Sequence, residues 1–208
     1  MTFPPCEFSK SPKAILRHFA LCALPGCGNG AARLRRGKLL QDPMKRTLQV
    51  LDELARDGVI ERYAIGGAMA ATFYVEPLLT FDLDVFVILP QNAANLLSLA
   101  PLYEALRGRG YAEEGECVLI EGVPVQFLPA YNALLEEALR EARETPYEEV
   151  FARVVRAEHL IAICLQTGRD KDRERVRILR EQADLDMNYL AGVLQRHGLE
   201  GKWKPWRP

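Results

Sequence analysis

Two carboxylates stand two residues apart, Asp82 and Asp84, and Asp82 follows Gly67 of the pair Gly66-Gly67 by fifteen positions. The apolar residues Phe81, Leu83, Val85 and Val87 alternate with the acids and mark a strand. Side chains two apart on a strand share a face, so the two acids lie side by side. At roughly 6 Å their repulsion costs about 0.7 kcal/mol in water and about 3 kcal/mol at an effective dielectric near 20. A half-buried pair of this kind needs a cation. Hard oxygen ligands one strand pitch apart suit Mg²⁺ or Mn²⁺, and Mg²⁺ takes one or two carboxylates plus substrate phosphates. The glycine pair offers the other half of such a site. Amides without side chains can approach a phosphate closely, and a helix that starts there turns its free N–H groups toward the anion.

The elements that must hold these residues follow from the pattern around them. Residues 59–65 form an apolar strand that ends at the glycines, 66–74 a short helix, Glu76-Pro77 a loop, and Thr80 opens the strand that Pro90 closes. Upstream, Leu48, Leu51, Leu54 and Ala55 fall on one face of a helix over 44–57, which Gly58 ends. Downstream, the spacing predicts a helix over 91–108, then short strands over 111–113, 117–121 and 123–128 with a turn at Glu121-Gly122. A helix over 131–142 and a strand over 150–155 come next. The apolar run from His159 to Leu165 reads as a buried helix ended by Gly168. A last periodic run, Val176 to Leu194, is broken by a new N-cap at Asp184 or Asp186. This order predicts an α/β (α+β) fold: a mixed sheet with helices on one side and a small C-terminal helical lobe.

The chain has 208 residues, 49% of them hydrophobic, which is enough for one or two small globular domains. No apolar run reaches the eighteen or so residues that span a bilayer. Five scattered cysteines do not form a disulfide framework, so reduced thiols and a cytoplasmic location are expected. Residues 1–43 carry seven basic and two acidic side chains, a net of +5, which leaves −6 for the remainder of a chain whose total is −1. A polynucleotide-binding core is more often basic. The first 43 residues are broken by prolines and glycines and read as an appendage. Three units are expected: an extension over 1–43, a core over 44–145, and a C-terminal strand and helical lobe over 146–208.

The order apolar strand, Gly-Gly, about a dozen residues, then Asp-x-Asp on the next strand resembles the polymerase-beta-like nucleotidyltransferase superfamily. Thr80-x-Asp82-x-Asp84 resembles the form found in small prokaryotic members related to the AbiEii-type abortive-infection toxins. The resemblance implies a mixed sheet flanked by helices, with Asp82 and Asp84 on the metal and Gly66, Gly67 and Thr80 at the nucleotide. It implies the same for Arg169, Lys171 and Asp172, in the turn Thr167-Gly168-Arg169-Asp170-Lys171-Asp172. There Arg169 and Lys171 would contact phosphates, and Asp172 would orient them, cap the helix or act as a base. Two positions depart from the pattern. Gln126 stands where active members carry a third carboxylate, and Cys164 where many carry a lysine. An amide can orient a water or a hydroxyl but supplies no negative charge.

The implied activity is metal-dependent transfer of NMP from an NTP to an unknown hydroxyl acceptor on RNA, protein or a small molecule. The alternative is an NTP- and metal-binding module of the same fold with little or no turnover, such as a regulatory or toxin–antitoxin partner; a ligand-free scaffold is a third reading. Each residue also has a plain structural reading. The Asp-x-Asp strand can be a solvent face, the glycine pair tight packing, and Gln126 a strand residue with no chemical role. Residues 169–173 read as a solvated charge run when the resemblance is set aside. His159 reads as a helix-start residue, Cys164 as core, and Trp203 and Trp206 as a tail packed on the lobe.

Overall fold

A computed structural model of the chain describes residues 42–76, 80, 82–90 and 98–206. The expected extension over 1–43 lies outside the described residues except for its last two positions, and so does the start of the helix expected over 91–108. The described elements are α1 (Pro43–Arg56), β1 (Arg62–Ile65), α2 (Gly67–Ala71), β2 (Leu83–Ile88), α3 (Ala100–Gly108), β3 (Glu113–Glu114), β4 (Cys117–Ile120), β5 (Val123–Pro129), α4 (Ala133–Arg140), β6 (Arg143–Tyr147), β7 (Val150–Val154), α5 (Ala157–Thr167), α6 (Asp170–Gln182), α7 (Met187–Arg196) and α8 (Glu200–Trp203). A single 3₁₀ turn, Lys204–Trp206, follows.

Seven strands form one mixed sheet in the order β3-β4-β5-β2-β1-β7-β6. β1 runs antiparallel to β2, and β2 runs parallel to β5. The registers place Asp84 opposite Gln126 and Ala64 opposite Phe86. One face of the sheet therefore carries Tyr63, Ile65, Leu83, Val85, Val87, Val123, Val125 and Phe127, all buried. Tyr63 donates its hydroxyl to Asp52 of α1 at 2.6 Å, which fixes that helix on this face. The other face carries Ala64, Asp84, Phe86, Gln126 and Leu128. Successive residues of β1 and β2 are buried, so the centre of the sheet is covered on both sides. This corrects the expectation of helices on one side only.

Local signals account for most elements. Asp42 caps α1 by accepting from the Met44 amide at 2.9 Å, with Pro43 at the first helical position. Asn132 caps α4 through the Leu135 amide. Asp186 accepts from the amides of Asn188 and Tyr189, making it the N-cap at the break expected in the last periodic run. Two differences stand out. β6 was not expected; its sequence RETPY has little apolar character, and its hairpin turns at Glu148, with φ of +51°, rather than at a glycine. The second strand starts at Leu83, so Thr80 and Asp82 precede it instead of lying within it.

The C-terminal helices dock on the rest of the molecule through a polar knot. Glu137 of α4 accepts from Arg196 Nη2 at 2.5 Å and contacts His197 Nε2 at 2.7 Å and His159 Nε2 at 3.3 Å. The Arg196 guanidinium, then the two histidines, hold the Glu137 carboxyl down at about 2 against the cost of its burial. His159 is fully buried, its ring edge-on to Tyr189, in keeping with a structural role. Trp203 is buried too, under Arg180, whose Nη1 donates to the Trp206 carbonyl. The tail is thus packed on the lobe.

Candidate functional site

Asp84 lies directly against the glycine bend. A Cβ placed on Gly67 would fall 1.6 Å from Asp84 Oδ2, and Gly67 has φ of +58°. Only glycine satisfies both conditions. Gly66 serves a different purpose: its Cβ would fall 2.2 Å from the Phe86 ring, so its missing side chain lets β1 pack on that ring. The Gly66 amide donates to the Asp84 carbonyl at 2.8 Å, which ties the bend to β2. The tight-packing reading of the pair therefore applies to Gly66, while Gly67 faces the carboxylate. α2 starts at Gly67, so the amides of its first turn have no partner within the helix.

Asp82 sits in the bend before β2. The Thr80 hydroxyl bonds to its carboxylate at 3.1 Å and to its carbonyl at 3.2 Å. Thr80 thereby fixes the position of the first acid. Asp82 and Asp84 are both half-buried, and among the described residues neither forms an ion pair. Burial, and next the charge of Asp82, push the Asp84 carboxyl above its ordinary value. Arg175, Lys171 and Arg169 pull it the other way. The turn between α5 and α6 thus brings its cations to the acids on β2, across about ninety residues of sequence.

That turn is itself organised by Asp172. The carboxylate is fully buried. It accepts from Thr167 Oγ1 at 2.7 Å, Arg169 Nε at 2.8 Å, Arg169 Nη2 at 3.2 Å and Arg175 Nη1 at 3.3 Å, and from the Arg169 amide at 3.3 Å. Gly168, in the left-handed region, ends α5 and makes the turn possible. With its lone pairs occupied this way, Asp172 is built to orient the two arginines and cap α6. Arg169 and Lys171 both carry exposed side chains, and their charges lower the Asp84 carboxyl.

Arg175 was not singled out from the sequence. It lies on α6 one turn after Lys171, is only 14% exposed, and sets Nη1 3.9 Å from Cys164 Sγ. Cys164 is buried, and burial raises its thiol to about 11. The core reading of Cys164 agrees with this, and the positive charge absent from that position arrives from the neighbouring helix. Periodicity could have shown that Arg175 and Lys171 share a helix face; only the packing of α5 on α6 shows which way that face looks.

Gln126 occupies the place on β5 opposite Asp84, on the same face. Its Nε2 donates to Glu116 Oε2 at 3.0 Å. Glu121, the other acid near that strand, is paired with Arg46 at 2.7 Å and accepts from the Tyr111 hydroxyl at 2.9 Å. Glu121 is therefore occupied away from Asp84.

The fit to a divalent ion can be judged from these contacts. The acids offer two hard oxygen ligands with an uncompensated charge. Among the described residues no group of three or more His, Cys, Asp or Glu gathers closely enough to hold an ion. A half-site of two acids suits an ion whose remaining ligands are water and substrate phosphate.

No protein-family model and no curated protein matches the sequence. Among the solved structures similar to it are two nucleotidyltransferase-type proteins. One is ANT(2'')-Ia in complex with adenylyl-2''-tobramycin, at 16% identity and a TM-score of 0.45, covering 77% of this chain and 99% of that one. The other is an antigenic nucleotidyltransferase-like protein from Paracoccidioides brasiliensis, at 14% identity and a TM-score of 0.47, covering 81% of this chain and 95% of that one.

Proposed function

We propose that the chain is a nucleotidyltransferase-like protein that binds an NTP with Mg²⁺ or Mn²⁺ and transfers NMP to a hydroxyl acceptor. The observation that carries the reading is the apposition of Asp84 with Gly67 under the cations of the α5–α6 turn. An acid that lacks a counter-ion and a set of oriented cations are what a metal–triphosphate complex would complete from both sides.

Asp82 and Asp84 would hold the ion, which would supply Lewis-acid polarisation of the phosphate oxygens. Thr80 keeps Asp82 in place. The missing side chain at Gly67 leaves room for the Asp84 carboxylate beside the amides that open α2. Arg169, Lys171 and Arg175 face the charge that develops on the departing pyrophosphate, and Asp172 holds the two arginines in position for it. Gln126 lies next to Asp84, where its amide can orient a hydroxyl. The Thr80-x-Asp82-x-Asp84 order fits the AbiEii-type members of the resembled superfamily. A second reading, an NTP- and metal-binding module without turnover, rests on the amide at Gln126 in place of an acid.

Melting temperature measured with ATP, CTP, GTP and UTP, each with and without Mg²⁺, tests the proposal. The expected result is a rise that needs both nucleotide and metal and is lost in Asp82→Asn/Asp84→Asn. No rise with any nucleotide would refute it. Transfer of label from α-³²P-NTP then separates an enzyme from a binding module.

A further inference from the structure

We infer that Glu116 is the general base of the site, carried to it on the β3–β4 turn and held there by the Gln126 amide. The inference rests on the nucleotidyl-transfer reading above.

Transfer to a hydroxyl requires that a proton leave the attacking oxygen. A carboxylate can take it only if its lone pairs are not committed to cations or to several donors. The acids around the site can be compared on this point. Asp172 is fully buried and accepts from two arginines, a hydroxyl and an amide. Glu121 is committed to Arg46 and Tyr111. Asp82 and Asp84 are the acids assigned to the ion. Glu116 has one described partner, the neutral Gln126 amide at 3.0 Å, and no described ion pair. It is exposed, so it can exchange its proton with solvent.

The sheet brings Glu116 to the reacting face. β4 and β5 pair antiparallel with Val118 opposite Val125, so Cys117 falls opposite Gln126, which in turn lies opposite Asp84. Cys117, Gln126 and Asp84 form one row across three strands. The Cys117 thiol is raised by burial first and then by the charges of Asp82, Asp84 and Glu116, so three acids converge on this row. Gln126 is the link: it sits beside the metal-binding acid and reaches to the base.

The step balances as follows. The acceptor oxygen, of a hydroxyl or of water, forms a bond to the α-phosphorus. The bond from that phosphorus to the bridging oxygen of the β-phosphate breaks, and pyrophosphate leaves with the electron pair. The acceptor proton passes to the Glu116 carboxylate.

Glu116→Gln, Gln126→Glu and the exchanged double variant test this. Turnover is followed with α-³²P-ATP in Mn²⁺, with release of AMP to water as the default reaction. The expected results are three. Glu116→Gln lowers kcat on the order of 10²-fold while the metal-dependent rise in melting temperature with ATP is unchanged. The acid limb of the pH–rate profile disappears. The exchanged double variant, Glu116→Gln with Gln126→Glu, regains part of the rate. Unchanged turnover and pH profile in Glu116→Gln would overturn the assignment. ATP and metal binding by the parent without any release or transfer would overturn it too, while leaving the binding part of the earlier proposal standing. Absence of metal-dependent binding by the parent chain would instead strike the nucleotidyl-transfer reading itself.

Discussion

Asp84 and Glu137 are both half-buried carboxylates of one small protein, and the molecule treats them in opposite ways. Glu137 is surrounded by Arg196, His197 and His159 and is held ionised down to about 2. Asp84 has no described ion pair, has Asp82 as its nearest charged neighbour in effect, and is raised by burial. The first arrangement joins the helical lobe to α4. The second leaves a carboxylate without an ion pair among the described residues, pressed against a bend where Gly67 has no side chain. Buried polar groups are normally satisfied. A half-buried carboxylate with no described counter-ion, in a molecule that surrounds another with three partners, is what the proposed ligand site would require.

This contrast can be broken at either end. The largest effect is expected at the site: Asp84→Asn should weaken metal-dependent ATP binding more than 100-fold, on the order of 3 kcal/mol, while raising the melting temperature of the ligand-free chain. Calorimetric titration and thermal melting of one preparation check both halves, and a fall in melting temperature would mean that Asp84 is structural. Asp172→Asn should lower the stability of the ligand-free chain instead. Removing a buried charge that orients Arg169 and Arg175 should cost about 3 kcal/mol of stability, read from urea denaturation. Gly67→Ala should cost roughly 1–3 kcal/mol through its positive φ and its collision with Asp84, with a matching loss of nucleotide binding.

The smallest effect is in pH dependence, where the two carboxylates have opposite signs. Glu137 has a folded value near 2, below an unfolded value of about 4.3. Its contribution is therefore complete above the unfolded value and is lost as pH falls through that range toward 2. Asp84 is raised on folding, so ionising it costs stability, and lowering the pH through its titration relieves that cost. Melting temperature against pH should flatten on the acid side in Glu137→Gln and steepen in Asp84→Asn. Equal curves for the two variants would remove the distinction.

The half of the site that is local in sequence was legible there. Gly67 and Asp84 are joined by a strand–turn–helix–strand whose periodicity and breakers are explicit, and the family resemblance pointed to Gln126, which the register sets opposite Asp84. What depended on how distant elements pack was not. Arg175 looks like any charged helix residue until α6 is laid against α5. Glu116 sits in a Gly-Glu turn between two short strands, and no pattern ties it to Gln126. The Glu137 knot draws on three helices, and no pattern in the sequence ties their charged residues together. β6 escaped because its edge position needs no apolar face, and its hairpin turns through Glu148 without a glycine signal. Thr80 and Asp82 were misplaced by a smaller margin: alternation extends past the point where backbone pairing begins.

Binding of Mn²⁺ in the presence of a non-hydrolysable ATP analogue, followed by electron paramagnetic resonance, asks the central question without requiring any acceptor. The expected result is Mn²⁺ bound by the parent chain only when nucleotide is present, and none bound by a folded Asp82→Asn/Asp84→Asn variant. Equal binding by that variant, or no binding by the parent at any nucleotide concentration, would show that the two acids are not holding a place for a metal.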